Sequence, residues 1–92
     1  MLKYFQKYLA EFIGTLIFVS VILVTGNPYA IGAALALVIL LTSSISGGHM
    51  NPAVSIVMAY SGKLPIIDVI PYIVAQILGG LIALAIFKKW KI

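Results

Sequence analysis

The chain has no cysteine and no arginine, one histidine and two acidic residues among its 92 positions. Without thiols there is no disulfide framework, no thiolate nucleophile and no Cys-based metal site. Glu11, Asp68 and His49 are too few and too scattered to suggest enzymatic chemistry, and neither a metal nor a cofactor is expected. Charge is scarce as well: 9% of residues are charged, and the net +4 comes from six lysines, Lys3, Lys7, Lys63, Lys88, Lys89 and Lys91. All six lie outside the long apolar runs. They read as anchors near anionic headgroups and leave no footprint for a nucleic acid. What is abundant is apolar surface: 63% of residues are hydrophobic and mean hydropathy is +1.20. That is too apolar for a soluble domain of this size, so the expected solvent is a lipid bilayer.

Three apolar segments, 8–25, 30–45 and 69–87, approach the length that spans a hydrocarbon core of about 30 Å at about 1.5 Å per residue. All three are expected to be helices, because isolated strands leave backbone groups unpaired in lipid. The first run is longer than a signal-peptide core, contains Glu11 and lacks a small-residue cleavage site, so it is read as a retained span. The initial Met and the Lys88-Lys89-Trp90-Lys91 anchor are those expected of a whole chain. Gly26-Asn27-Pro28 is expected to be a tight turn that makes the first two helices antiparallel neighbours. Small residues recur every four positions: Ala10 and Gly14, Gly32 and Ala36, then Ala75, Gly79 and Ala83. Such stripes let membrane helices approach closely. Tyr4, Tyr8, Tyr29, Tyr60, Tyr72 and Trp90 fall near segment ends, where amphipathic rings favour the headgroup layer.

Between the second and third spans lies a Gly-rich segment, Ser46-Gly47-Gly48-His49-Met50, followed by Asn51-Pro52 and an apolar stretch that stops at Ser61-Gly62. Asn51 suits an N-cap and Pro52 a first helical position, so a helix of about ten residues is expected there. It would be about 15 Å long, half a hydrocarbon core. A half-length apolar helix after an irregular segment reads as a re-entrant hairpin over 46–60 that dips to the midplane and returns. Its N-terminus would carry partial positive charge at the membrane centre and repel cations. The Asn51 amide could donate to a passing oxygen, while carbonyls of Gly47, Gly48 and His49 accept from it. Periodicity alone leaves both a pore and a plain capped loop open.

The run Ser46-Gly47-Gly48-His49-Met50-Asn51-Pro52-Ala53-Val54-Ser55 resembles the first signature loop of the aquaporin and aquaglyceroporin (major intrinsic protein) family. Ala10-Glu11-Phe12-Ile13-Gly14-Thr15 resembles that family's first-helix motif, and Tyr72-Ile73-Val74-Ala75-Gln76-Ile77-Leu78-Gly79-Gly80 its third helix. The resemblance implies an all-α membrane protein with three transmembrane helices and one re-entrant half-helix, which is one of the family's two inverted repeats. No second Asn-Pro-Ala stands in the sequence, and one repeat cannot enclose a pore. The expected completion is an antiparallel homodimer that brings the two Asn51 residues together. Three lysines on either side of such a topology give little positive-inside bias, as dual insertion requires. By resemblance, four such dimers would assemble as the family's tetramers do.

The expected function is a passive channel for water and small neutral solutes such as glycerol, in a multi-pass integral membrane protein. Site residues carry over by position. Asn51, Pro52 and Ala53 would meet at the midplane, and His49 would line the pore unless it is merely a satisfied loop residue. Glu11 would brace the re-entrant loop, or alternatively carry protons. Ile31 would take the second-helix position of the selectivity constriction, commonly aromatic in the family, and Val54 the place of the family's filter arginine. Gln76 is expected to hydrogen-bond between helices, Gly14, Gly32 and Gly79 to pack them, and Asp68 to cap or flank the third span at the interface. Two other readings stay open. One is a small dual-topology, proton-coupled transporter using Glu11; the other is a truncated or non-conducting half that needs a different partner chain.

Overall fold

The computed structural model describes residues 2–90, all helix and connection, with no strand among them. Helix α1 (Leu2–Thr25) begins more than a turn ahead of the apolar run, because nothing in Leu2–Tyr8 breaks a helix and Lys7 finds a partner in the fold. Thr25 closes it with a side-chain bond back to the Val21 carbonyl, and Gly26 follows at φ 55°. Asn27 does more than the expected turn. Its side chain accepts from the Tyr29 and Ala30 amides at 2.9 and 3.1 Å, so α2 (Pro28–Thr42) starts at Pro28, ahead of Ala30. Turns over 43–46 then end α2 before Ile45, since Ser46 is drawn toward Glu11 and Gly47 follows at φ 92°.

Helix α3 (Pro52–Tyr60) is the short one, nine residues or about 14 Å. Gly62 at φ 83° and a single 3-10 turn at Ile66–Asp68 lead into α4 (Val69–Trp90). Helices α1 and α4 run parallel, since Lys7 meets Asp68 while Phe12 and Leu16 meet Gly79. A β-carbon on Gly79 would stand 2.5 Å from the Phe12 carbonyl oxygen and 3.2 Å from the Leu16 nitrogen, so the two backbones touch there. Gly14 receives the Met50 thioether, whose atoms would lie 2.5 Å from an added β-carbon. Gly32 packs against nothing among the described residues: it is exposed, and a β-carbon there would meet no atom of them within 4 Å.

The interior is rich in polar groups, set among Val38, Met50, Leu64, Tyr72 and small residues, and the exterior is largely apolar. Glu11, Thr15, Ser46, His49, Ser55, Asp68 and Gln76 are buried, whereas Leu37, Leu40, Leu41, Ile70, Leu81 and many other large aliphatic residues are exposed. Water would reverse this arrangement; a hydrocarbon solvent favours it, since polar groups must then find partners inside. Two segments, Leu2–Thr25 and Ile66–Trp90, are long and apolar enough to cross a membrane, while Pro28–Thr42 is shorter.

Candidate functional site

Glu11 organises the site. It is fully buried on the inward face of α1, and its carboxylate accepts four hydrogen bonds, two at each oxygen. Ser46 Oγ and the His49 amide donate to Oε2 at 2.6 and 3.0 Å. The Met50 amide and Gln76 Nε2 donate to Oε1 at 2.9 and 2.8 Å. Among the described residues no cation pairs with it. Four donors match the lone pairs of a carboxylate and offset the cost of burying it.

These bonds shape the connection between α2 and α3. Gly47, Gly48 and Met50 all have positive φ, at 92°, 65° and 56°. Gly48 has no room for a side chain, since a β-carbon would sit 3.2 Å from Ile39 Cα and from Thr42 Oγ1. Met50 is a non-glycine residue held in the left-handed region, which its two anchors explain: the amide on Glu11 and the side chain on Gly14, with Thr15 Oγ1 3.8 Å from its sulfur. The carbonyls of Gly47, Gly48 and His49 accept no hydrogen bond among the described residues. Gly47 is exposed; Gly48 and His49 are buried.

The loop delivers the chain to Asn51 in an extended conformation, φ −157°, and Pro52 starts α3. Asn51 Oδ1 accepts from the Ala53 amide at 2.8 Å. Its NH2 group therefore has no partner among the described residues, and the side chain is exposed. Asn51 and Pro52 share an open recess of about 350 Å³ with Met50, Thr15 and Val19 of α1, and Gln76, Ile77, Gly80 and Leu81 of α4. Thr15 and Gly80 lie near the middles of their helices, so α3 begins at mid-height of the long pair. Its other end, Tyr60, packs near Ile66, Val69 and Ile70, at the start of α4.

His49 is turned inward. Its ring packs 5.2 Å from that of Tyr72, and Nδ1 lies 2.8 Å from Ser55 Oγ, which also receives Gln76 Nε2 at 2.9 Å. Gln76 donates to the Ser55 hydroxyl, and which of Ser55 Oγ and His49 Nδ1 donates in their contact depends on the His49 tautomer. Gln76 thus links α4 to both α1 and α3. Its Oε1 is a buried acceptor with no partner among the described residues. Ile31 stands half-buried in the first turn of α2, and Val54 lines a shallow apolar groove with Ala53, Val57 and Met58, to which Ile31 does not contribute.

Three placements correct the sequence reading. Asp68 flanks α4, in the 3-10 turn just before it, but is fully buried: it is ion-paired with Lys7 and accepts from Tyr8 Oη at 2.8 Å, so Lys7 is not a free headgroup anchor. Tyr72 is 1% exposed, its ring enclosed by the protein and not presented to headgroups, and donates to the Ser46 carbonyl at 2.7 Å. Ser46 and Ser55 carry contacts that the sequence reading does not assign. Ser55 has a signal of its own: it is a hydroxyl one turn after Asn51 in an otherwise apolar half-helix.

Comparisons with known proteins bear on this arrangement. A family profile described as major intrinsic protein matches residues 1–92. The chain is similar to glycerol uptake facilitator protein-like 6 of Lactiplantibacillus plantarum, 40% identical over 94 residues that cover 92% of this chain and 44% of that protein. Aquaporin-8 of Mus musculus is 38% identical over 97 residues, 94% of this chain and 37% of its own. Aquaporin Z of Photorhabdus laumondii is 34% identical over 96 residues, 88% of this chain and 42% of its own. The chain spans less than half the length of these relatives. The match over its whole length, with polar groups paired inside an apolar exterior, makes this chain an integral membrane member of the major intrinsic protein family.

Proposed function

We propose that the chain builds one wall of a passive transmembrane channel for water and small uncharged solutes, and that an inverted repeat supplies the opposite wall. In this reading α1, α2 and α4 span the bilayer while the 46–60 segment re-enters to the midplane. One observation carries it: α3 begins at mid-height of α1 and α4, with the free NH2 of Asn51 at its tip. The unpaired carbonyls of Gly47, Gly48 and His49 supply acceptors on the approach. A neutral molecule that both donates and accepts is well served there, whereas the half-helix N-terminus and dehydration oppose cations.

A second copy of the chain, related by a two-fold axis in the membrane plane, is the repeat we favour. It would juxtapose two Asn51-Pro52-Ala53 tips and put Ile31 of each copy near Val54 of the other. That constriction would be apolar and free of fixed charge, with water as the expected permeant and glycerol the solute to test. Glu11, Gly14 and Gly79 serve as brace and packing positions in this reading. The proton-carrying alternative gains nothing from a fully buried Glu11 whose lone pairs are all occupied.

The test is stopped-flow light scattering on proteoliposomes holding only this chain, challenged with sucrose and then glycerol, beside Asn51→Asp. Fast shrinkage with a low activation energy, lost in the variant, supports a pore made by self-pairing. Rates equal to those of empty vesicles, from folded protein, would point to a different partner chain. Extra lysines at one end should force a single orientation and abolish flux; crosslinked octamers would extend the assembly to four pairs.

A further inference from the structure

The inward face of α4 and of the 3-10 turn before it carries three polar residues at four-residue spacing, Asp68, Tyr72 and Gln76, and all are buried, at 0, 1 and 2% exposure. Each reaches a different partner. Asp68 holds Lys7 and Tyr8 of α1, Tyr72 holds the Ser46 carbonyl, and Gln76 holds Glu11 and Ser55. On α1 the matching face presents Lys7, Tyr8 and Glu11 within one turn. Ser46 is the point where the two helices meet the loop: Glu11 takes its hydroxyl and Tyr72 takes up its carbonyl.

We infer that Tyr72, itself fixed by the Lys7–Tyr8–Asp68 clasp, is a positioning residue for the signature loop, setting the height at which Asn51 and the loop carbonyls meet a permeating molecule. The ring of Tyr72 stands between two others, 6.0 Å edge-on from Tyr8 and 5.2 Å from His49. Its hydroxyl reaches the carbonyl of the residue just before the left-handed run. Asp68 stands one turn before it in the chain and fixes the Tyr8 ring through the phenol oxygen. The clasp near the start of α4 is therefore connected to the loop by contiguous contacts through Tyr72, beside the separate strap from Glu11 of α1. The consequence for flux rests on the channel reading; the consequence for loop order does not.

Hydrogen–deuterium exchange on the full chain in liposomes separates the two. In Tyr72→Phe the ring and its packing remain while the hydrogen bond is lost. Amides of residues 46–50 should then exchange about three- to tenfold faster, with those of the apolar part of α1 unchanged. Tyr8→Phe, which leaves the Tyr72 hydroxyl in place, should accelerate the same amides by a smaller factor. Unchanged exchange at 46–50 would overturn the inference, and so would equal acceleration along α1 and α4, which marks a merely structural role. In parallel, Tyr72→Phe should raise the activation energy of water flux. If the wild-type chain itself does not conduct, the channel reading fails while the exchange result still decides the role of Tyr72.

Discussion

The chain contains the same dipeptide twice, and the two copies do different work. Asn27-Pro28 and Asn51-Pro52 both cap a helix, with the Asn side chain accepting amides of the first turn and Pro at the first helical position. Asn27 is reached from α1 through one glycine, Gly26, around which a β-carbon would meet nothing within 4 Å. Asn51 is reached through a loop strapped to a buried carboxylate by Ser46, His49 and Met50, and to Tyr72 by the Ser46 carbonyl. A capped helix start becomes a site only where the surroundings fix its position and leave its spare donor facing an open recess.

The largest break in that comparison is Glu11→Ala. It strands the donors on Ser46, His49, Met50 and Gln76, each at a cost of about 1–3 kcal/mol if left unpaired. Water flux should be abolished and the thermal midpoint in detergent should fall furthest of any variant here. The α1–α2 turn has no equivalent weak point.

Next in size is the pair Gly48→Ala and Gly26→Ala. Both residues have positive φ, so each substitution costs about 1–2 kcal/mol of backbone strain. Gly48 adds a clash with Ile39 and Thr42, so its variant should lose clearly more stability, and flux with it, while Gly26→Ala conducts normally. Equal losses would mean that the loop can shift to make room.

Asn51→Ala and Asn27→Ala sharpen the comparison most directly. Each removes a cap worth about 1 kcal/mol, so thermal midpoints should fall by similar amounts. Only Asn51→Ala should impair water permeability. Smallest is Gly32→Ala, which meets no atom of its own chain and should change stability by less than about 1 kcal/mol. A loss of flux there would place Gly32 against a partner.

Much of this is legible in the sequence because it is local. Asn51 before Pro52, Gly47-Gly48 and the stop at Ser61-Gly62 specify a short helix with an irregular approach, whatever surrounds it. The membrane setting and the close approach at Gly79 follow from composition and small-residue spacing. The four-residue spacing of Gly32 and Ala36 marks a stripe but does not reveal whether its partner lies in the same chain. Burial of Tyr72 is not legible because a tyrosine near a segment end suits the headgroup layer equally well. The Lys7–Asp68 pair joins residues 61 apart in sequence, and no local pattern links a lysine before one span to an aspartate before another. At Asn27 the neighbouring Gly26 signals a turn, and that signal hides the second role of Asn27 as a cap.

The Lys7–Asp68 pair also bears on when orientation becomes final. In the three-span reading, a nascent chain in the insertion machinery would present Lys3, Lys7 and Lys63 on one side and Lys88, Lys89 and Lys91 on the other, and lysines weigh far more than carboxylates in that decision. Once α4 has packed on α1, Lys7 is held by a fully buried aspartate and no longer counts as a free charge. In the dual-topology reading, the even tally that permits both orientations belongs to the unfolded chain alone. Formation of the clasp would then act as a latch, ending the choice at the moment the third span docks.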